Sequence, residues 1–271
     1  MQKDVHFYLT YALARKAGIN ADFALKIAWA DQHTDDLTKT ELYGLQTQSA
    51  IIGNWSDKTI QRLVLVPFHF IPGDDKNNPW KVTANNKNAN ILTTKAIDSQ
   101  NELLFGIALH TMQDTFSHQG FTGWDEEFNA CFPWYYIQSN LPNIGHAEMQ
   151  AMPDIVNIVW TDPRTGELID NKVRVMQCAI KTFNLLTAFR DGLGIQFSVS
   201  MQSQLREIFQ ITNYDRRKDA LIEFSGDKIR YGEINKEFKT WYLQDFIQAA
   251  NQHQSVAIKL MKDLPVSENQ D

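Results

Sequence analysis

The stretch "LLFGIALHTMQDTFSHQGF", residues 103–121, places two imidazoles and a carboxylate at steps of four residues. An α-helix rises about 1.5 Å per residue, so His110, Asp114 and His118 share one face over about 12 Å. The apolar run before them predicts that this helix is buried. Titratable groups in a buried row need compensating partners. The row therefore either binds metal ions or forms a hydrogen-bonded polar seam.

A carboxylate in the middle of such a row can serve two metal ions, because each of its oxygens can bind a different one. The spacing predicts one ion at His110 and Asp114 and a neighbouring ion at His118. Two-metal hydrolases hold their ions about 3.5–4 Å apart. Further ligands must then come from other segments.

One source of ligands is "WADQHTDD", residues 29–36. Asp31 and Asp35 share a helix face, and Asp36 follows directly. The segment alone does not decide which of the three carboxylates belongs to the site. It is also typical of a solvated helix end.

Two further segments offer a histidine each. "PFHFIPGDD" contains His69 between two phenylalanines, a pattern that also suits a core histidine. "NIGHAEMQAMPDI" contains His146, with Glu148 or Asp154 as its carboxylate. Pro153 makes a continuous helix between them improbable, and we prefer Asp154. Imidazole with carboxylate suits Zn²⁺ and also admits Mn²⁺ or Fe²⁺.

Helical periodicity elsewhere predicts a mainly α fold with little or no strand. We expect one multi-helix domain over 1–271 with a metal-binding cleft, a metal-site half in 1–155 and a supporting helical half in 172–265. The longest predicted helix covers 90–118. Four more are predicted near 172–190, 200–211, 215–224 and 234–263.

Other segments fit a helix less well. "LVLVPFHFIPGDD" predicts a strand or an extended crossing segment, and "TDPRTGELIDN" predicts a turn-rich connector. "ELYGLQTQSAII" is a poor match to a helix. Residues 119–145 predict a structured loop.

Composition narrows the classes of partner. The 271 residues carry a net charge of −6, and no block of Lys and Arg appears, so long nucleic acid is not an expected ligand. Two cysteines do not build a disulfide framework. The first residues lack an apolar signal segment, and no window suits a membrane span, so we predict a cytoplasmic protein.

In chain order, the candidate ligands resemble those of the zinc-dependent phospholipase C and single-strand-specific nuclease superfamily. Those proteins are mostly α-helical and bind three zinc ions in a cleft. The resemblance covers about residues 1–155, and "DTFSHQGF" suggests an uncharacterised bacterial branch. The matching residues are His6, Asp31 of "WAD", His69 of "PFHFI", His110, Asp114, His118 and His146.

The resemblance implies two or three neighbouring zinc sites. The first would have four ligands: Asp31, His69, His110 and Asp114. The second would combine His118, His146 and a carboxylate. Asp114 would bridge to a third site that contains His6 and the α-amino group of Met1, at the position where the nucleases have an N-terminal Trp. At the four-residue step after His146, where relatives have a carboxylate, this chain has Gln150.

The implied activity is phosphoester hydrolysis with a metal-activated water as nucleophile. Asp31 and Asp114 are the expected catalytic residues, and Asp31, or Asp35 one turn later, would orient or deprotonate the water. The substrate would be a small phosphoester or a phospholipid. The alternative is a non-enzymatic helical protein whose metal is structural or regulatory.

Aromatic residues between His118 and His146 could line the cleft or belong to the core. They are Phe121, Trp124, Phe128, Phe132, Trp134, Tyr135 and Tyr136. In "NYDRRKD", Arg216 and Arg217 could face a phosphate, although a solvated helix start is the commoner meaning of such a segment.

Overall fold

A computed structural model of the chain describes residues 1–38, 45–48, 57–131, 142–191 and 196–265. The fold is mainly α, as the sequence predicts. The α-helices are α1 (Thr10–Lys16), α2 (Ala21–Asp36), α3 (Lys58–Ile60), α4 (Lys87–Ser99), α5 (Glu102–Ser117), α6 (Asn171–Asp191), α7 (Val199–Gln210), α8 (Tyr214–Ser225) and α9 (Tyr231–Met261).

Two π-helices and a small sheet complete the regular structure that concerns the site. The first π-helix, Asp4–Leu9, continues into α1, and the second, Gln61–His69, follows α3. The strands β1 (Val159–Thr161) and β2 (Leu168–Asp170) form an antiparallel pair. No helix among the described residues is long and apolar enough to cross a membrane.

Helix α5 carries the row of ligand-type residues and is the central element. Asn101 caps its start by accepting a hydrogen bond from the Leu104 amide at 2.9 Å. Every residue of α5 from Leu103 to Ser117 is buried. The helix packs against α2, α4, α6, α9 and the second π-helix. His118 follows directly after the helix and is also buried, so the predicted burial of the row is confirmed.

Gly106 allows α2 and α5 to approach closely. A Cβ at this position would lie 2.4 Å from the carbonyl oxygen of Ile27 and 2.7 Å from Cβ of Ala30. Any larger residue would push the helices apart. The close approach brings the carboxylates at the end of α2 against the imidazole and carboxylate of α5.

The prediction of one helix over 90–118 is wrong, because two helices, α4 and α5, share that range. Gln100 ends α4 in the left-handed conformation, with φ of 53°, and the Asn101 cap then starts α5. The longest described helix is α9.

The prediction of a strand or extended segment in "LVLVPFHFIPGDD" is also wrong for its first half. Val64, Leu65 and Val66 belong to the second π-helix, which continues through Pro67 to His69. Proline lacks an N–H group, and the wider turn of a π-helix shifts the hydrogen bonds, as in the bond from the Phe70 amide to the Leu65 carbonyl.

The remaining segments are placed as follows. "TDPRTGELIDN" includes β2 and the end of β1, so it is a hairpin rather than only a connector. Most of "ELYGLQTQSAII" and residues 132–141 of the aromatic loop lie outside the described residues. The four predicted C-terminal helices correspond to α6, α7, α8 and α9.

Buried polar contacts tie the C-terminal helices to the N-terminal segment. The Arg217 guanidinium, on α8, donates to Asp4 Oδ2 at 2.5 Å, and both side chains are buried. Arg217 also donates to the Ile211 carbonyl. This pair positions the first π-helix, which carries His6. Arg217 is therefore engaged in the interior, while Arg216 is exposed.

Candidate metal centre

Asp114 lies at the middle of the centre and its two oxygens face different partners. Oδ1 lies 2.6 Å from the Met1 amine and 3.3 Å from His6 Nε2. Oδ2 lies 3.2 Å from both His69 Nδ1 and His110 Nε2. This is the arrangement expected of a bridging carboxylate.

Three groups of side chains around Asp114 have the composition of metal sites, and within each group the ligand atoms lie within 4.8 Å of one another. The first group is His6, His110 and Asp114. The second is Asp35, His69 and His110. The third is His118, His146 and Asp154. Of the ten residues predicted as ligands, these groups contain eight, and the other two are Met1 and Asp31.

Asp31 lies beside the centre rather than in one of these groups. Its Oδ1 accepts from His6 Nδ1 at 2.8 Å, and its Oδ2 accepts from the Thr10 hydroxyl at 2.8 Å. Asp35, one turn later, belongs to the second group instead. Asp36 accepts from the Tyr231 hydroxyl instead.

Of the two carboxylates near His146, Asp154 is the one that lies beside the candidate ligands. Asp154 Oδ2 lies 3.4 Å from His146 Nε2, and Asp154 Oδ1 lies 3.3 Å from His118 Nε2. Pro153 lies in the short 3₁₀ turn that carries Asp154. Glu148 faces away and accepts from the Cys131 amide at 2.6 Å.

The Met1 amine is buried against the carboxylates of the centre. It lies 2.6 Å from Asp114 Oδ1 and 3.3 Å from Asp154 Oδ1. Burial alone would lower its pKa, but Asp114, Asp154 and Asp35 outweigh this and raise the pKa to about 11. The amine thus lies against two of the candidate ligands, Asp114 and Asp154.

Three histidines of the centre donate one ring N–H to a backbone carbonyl. His69 Nε2 donates to Thr47 at 2.6 Å, His118 Nδ1 donates to His69 at 2.8 Å, and His146 Nδ1 donates to Gln150 at 2.7 Å. Such bonds fix the tautomer, so that the second nitrogen presents a lone pair. In all three, that nitrogen faces a carboxylate of the centre.

His6 is oriented by side chains rather than by backbone. Its Nδ1 donates to Asp31 and lies 2.9 Å from the side-chain oxygen of Gln113. The side-chain nitrogen of Gln113 donates in turn to the Thr10 hydroxyl. Sequence reasoning missed Gln113, Thr10 and the Thr47 carbonyl. No local pattern marks them, because they meet the histidines only through packing.

The electrostatics of the centre show competition between burial and carboxylates. Burial would lower the pKa of His110, yet Asp114 and Asp35 raise it to about 10. The reverse holds for Asp114, whose pKa lies well below its usual range because nearby cationic groups outweigh burial. In His69 burial prevails, and its pKa is lowered.

The donor set fits divalent metal ions. Buried Nε2 of His6 and Oδ1 of Asp154 make no hydrogen bond in the described part of the chain, although each lies 3.3 Å from another candidate ligand. Buried polar atoms usually have partners, and a metal ion would satisfy such atoms. Mixed imidazole and carboxylate ligands suit zinc.

Only some of the predicted aromatic residues lie near the centre. Phe121 is buried and its ring lies edge-on to His146 at 5.8 Å. Trp124 packs against Trp80 instead, and Phe128 is partly exposed. Four predicted wall residues lie outside the described residues: Phe132, Trp134, Tyr135 and Tyr136.

Comparison with known proteins identifies a family but not an activity. The model of a family of unknown function, DUF6765, matches residues 1–264. No curated protein matches the chain. No solved structure matches it either. Because the match covers almost the whole sequence, the chain belongs to the DUF6765 family.

Proposed function

We propose that this protein is a metal-dependent hydrolase of phosphoester bonds, related to the zinc-dependent phospholipase C and nuclease superfamily. The observation that carries the proposal is the position of Asp114, which has one oxygen toward His6 and the Met1 amine and the other toward His69 and His110. A bridging carboxylate within neighbouring ligand groups is typical of hydrolases that use more than one metal ion.

The three groups would hold two or three Zn²⁺ ions, with Mn²⁺ or Fe²⁺ as alternatives. Such ions, when bound, activate water and stabilise negative charge on phosphoryl oxygens. The residues of the chain position the ligands. Asp31 holds the ring of His6, and backbone carbonyls hold His69, His118 and His146.

The group of His118, His146 and Asp154 is the place where substrate would enter. His146 and Asp154 are 16% and 18% exposed, whereas His6, His110 and Asp114 are at most 1% exposed. A small phosphoester or a phospholipid headgroup would reach this edge first. Of Asp31 and Asp35, only Asp35 is partly exposed, and it would accept a proton from water.

The deep burial of the first group favours a second candidate function. Structural metal sites are closed, and a site that is shielded from solvent would stabilise the fold without catalysis. The non-enzymatic alternative predicts bound metal but no hydrolysis.

The deciding experiment measures metal content and activity together. Untagged protein purified without chelator is analysed by inductively coupled plasma mass spectrometry beside Asp114→Ala and the exposed control Asp219→Ala. We expect two or three transition-metal equivalents, largely lost only in Asp114→Ala, and hydrolysis of phosphodiester or phospholipid substrates. Metal without hydrolysis would favour the structural alternative. No metal after reconstitution with Zn²⁺ or Mn²⁺ would refute both.

The Met1 amine is tested by a chain extension. The carboxylates that raise its pKa to about 11 would be neutralised by a bound divalent ion, which would then displace the proton of the amine. An added N-terminal segment of several residues would remove the amine from the centre, and we expect it to lower metal content. Unchanged metal content and activity would exclude the amine as a ligand.

A further inference from the structure

A cavity separate from the metal centre lies between the second π-helix and the end of α9. Its volume is about 610 Å³, within the usual range of small-molecule sites. No candidate ligand of the metal centre lines it. Its walls are mostly apolar and include Val66, Trp80, Trp124, Ile258 and Met261. Four of these five side chains are buried, and the tryptophan rings meet edge to face with centroids 5.2 Å apart.

The charged residues that line this cavity all have the same sign. Lys58, Arg62 and Lys262 are exposed and lie around the apolar walls. Lys262 lies 4.0 Å from the exposed Asp263, which does not line the cavity. Among the described lining residues none is acidic. The cavity therefore combines an aromatic interior with a cationic rim.

The hydrogen-bonding capacity of the rim agrees with this sign. The ammonium groups of Lys58 and Lys262 and the guanidinium group of Arg62 are donors with no acceptor capacity. A ligand with acceptor groups is therefore favoured over one with donors.

We propose that this cavity binds an amphiphilic anion, with its apolar part against the tryptophans and its carboxylate or phosphate head at the cationic rim. Apolar burial would provide attraction, and the rim would select the sign of the head. A cationic amphiphile of the same length would be repelled. The site does not depend on the proposed hydrolase activity, and its test needs no metal.

The test is calorimetric titration of the full chain with three amphiphiles of equal chain length, all below their micelle concentrations. They are decanoate, decyl phosphate and decyltrimethylammonium. We expect saturable binding of one equivalent of at least one anion, at least about tenfold tighter than the cation. The tighter anion identifies the head as carboxylate or phosphate. Equal binding of the cation, or no saturable binding of either anion, would overturn the proposal.

Variants then locate the binding. The double variant Arg62→Gln with Lys262→Gln changes two exposed side chains and should not disturb folding. We expect it to weaken anion binding about tenfold or more. The control is Arg206→Gln, an exposed cation on α7 that does not line the cavity. Unchanged affinity in the double variant would show that the anion binds elsewhere and would overturn the assignment.

Discussion

His110 and His253 are both buried and lie on helices that pack together, yet their surroundings are opposite. His110 Nε2 faces the carboxylates of Asp114 and Asp35. His253 stacks on Phe68, and its Nε2 lies 3.1 Å from the Pro67 carbonyl. No carboxylate contacts His253 among the described residues.

The two pKa values show what the difference means. Burial favours the neutral form of both rings. It prevails in His253, whose pKa falls to about 4. In His110 the carboxylates outweigh it and raise the pKa to about 10. The partners of a buried histidine therefore decide whether it can serve a charged centre, and burial alone does not.

The largest expected effect is on metal affinity, which should distinguish the surroundings of His110 from those of His253. Asp114→Asn should abolish tight metal binding, because it removes the carboxylate charge that lies beside a histidine of each of the three ligand groups. His253→Gln should leave binding unchanged within about twofold. Competition with a chelating dye measures both. Similar losses of metal affinity in the two variants would contradict this distinction between the surroundings of His110 and those of His253.

The next largest effect is on the free energy of unfolding, and it tests the buried ion pair between Arg217 and Asp4. Arg217→Gln should lower the free energy of unfolding by about 3–5 kcal/mol, because it leaves Asp4 buried without its ion pair. Metal affinity should also fall, since Asp4 belongs to the π-helix that carries His6. Urea denaturation measures the first effect. The matched control is Arg216→Gln at the exposed neighbouring position, and equal behaviour of the two variants would contradict the assignment.

The lowered pKa of His253 predicts that the folded protein becomes less stable as the pH falls. Its unfolded value is about 6.5 and its folded value about 4, so the unfolded chain binds more protons between these limits. This part of the stability is complete above pH 6.5 and is lost as the pH falls toward 4. At pH 5 the loss is about 2 kcal/mol.

That loss is measured by urea denaturation at pH 7 and pH 5 in the presence of chelator. His253→Gln should show a change in stability between the two pH values that is smaller by about 2 kcal/mol. Other titrating groups act in both proteins and cancel in the comparison. An identical pH dependence in the variant would show that His253 is protonated in the folded protein.

The smallest expected effect tests whether Asp31 orients the ring of His6 at the metal centre. Asp31→Asn keeps an acceptor for His6 but removes the charge, and we expect metal affinity to fall about tenfold with the same number of ions bound. Asp36→Asn, on the same helix, is the control because Asp36 bonds Tyr231. Loss of a whole metal equivalent in Asp31→Asn would instead make Asp31 a direct ligand.

The sequence predicted the features that depend on a single segment. Its apolar periodicity predicted a mainly α fold, and the steps of four in α5 predicted that His110, Asp114 and His118 share one buried face. Errors arose where a few residues alter a local pattern. Gln100 divides a long helical stretch, and Pro67 lies in a π-helix where a strand was expected.

Only the tertiary structure decided which residues from separate segments meet. It placed Asp35 rather than Asp31 or Asp36 among the ligand groups, and Asp154 rather than Glu148. It also supplied the carbonyls of Thr47, His69 and Gln150 that fix the rings. Spacing along one helix follows from backbone geometry, whereas distances between segments follow from packing, and the close approach of α2 and α5 at Gly106 cannot be calculated from either helix alone.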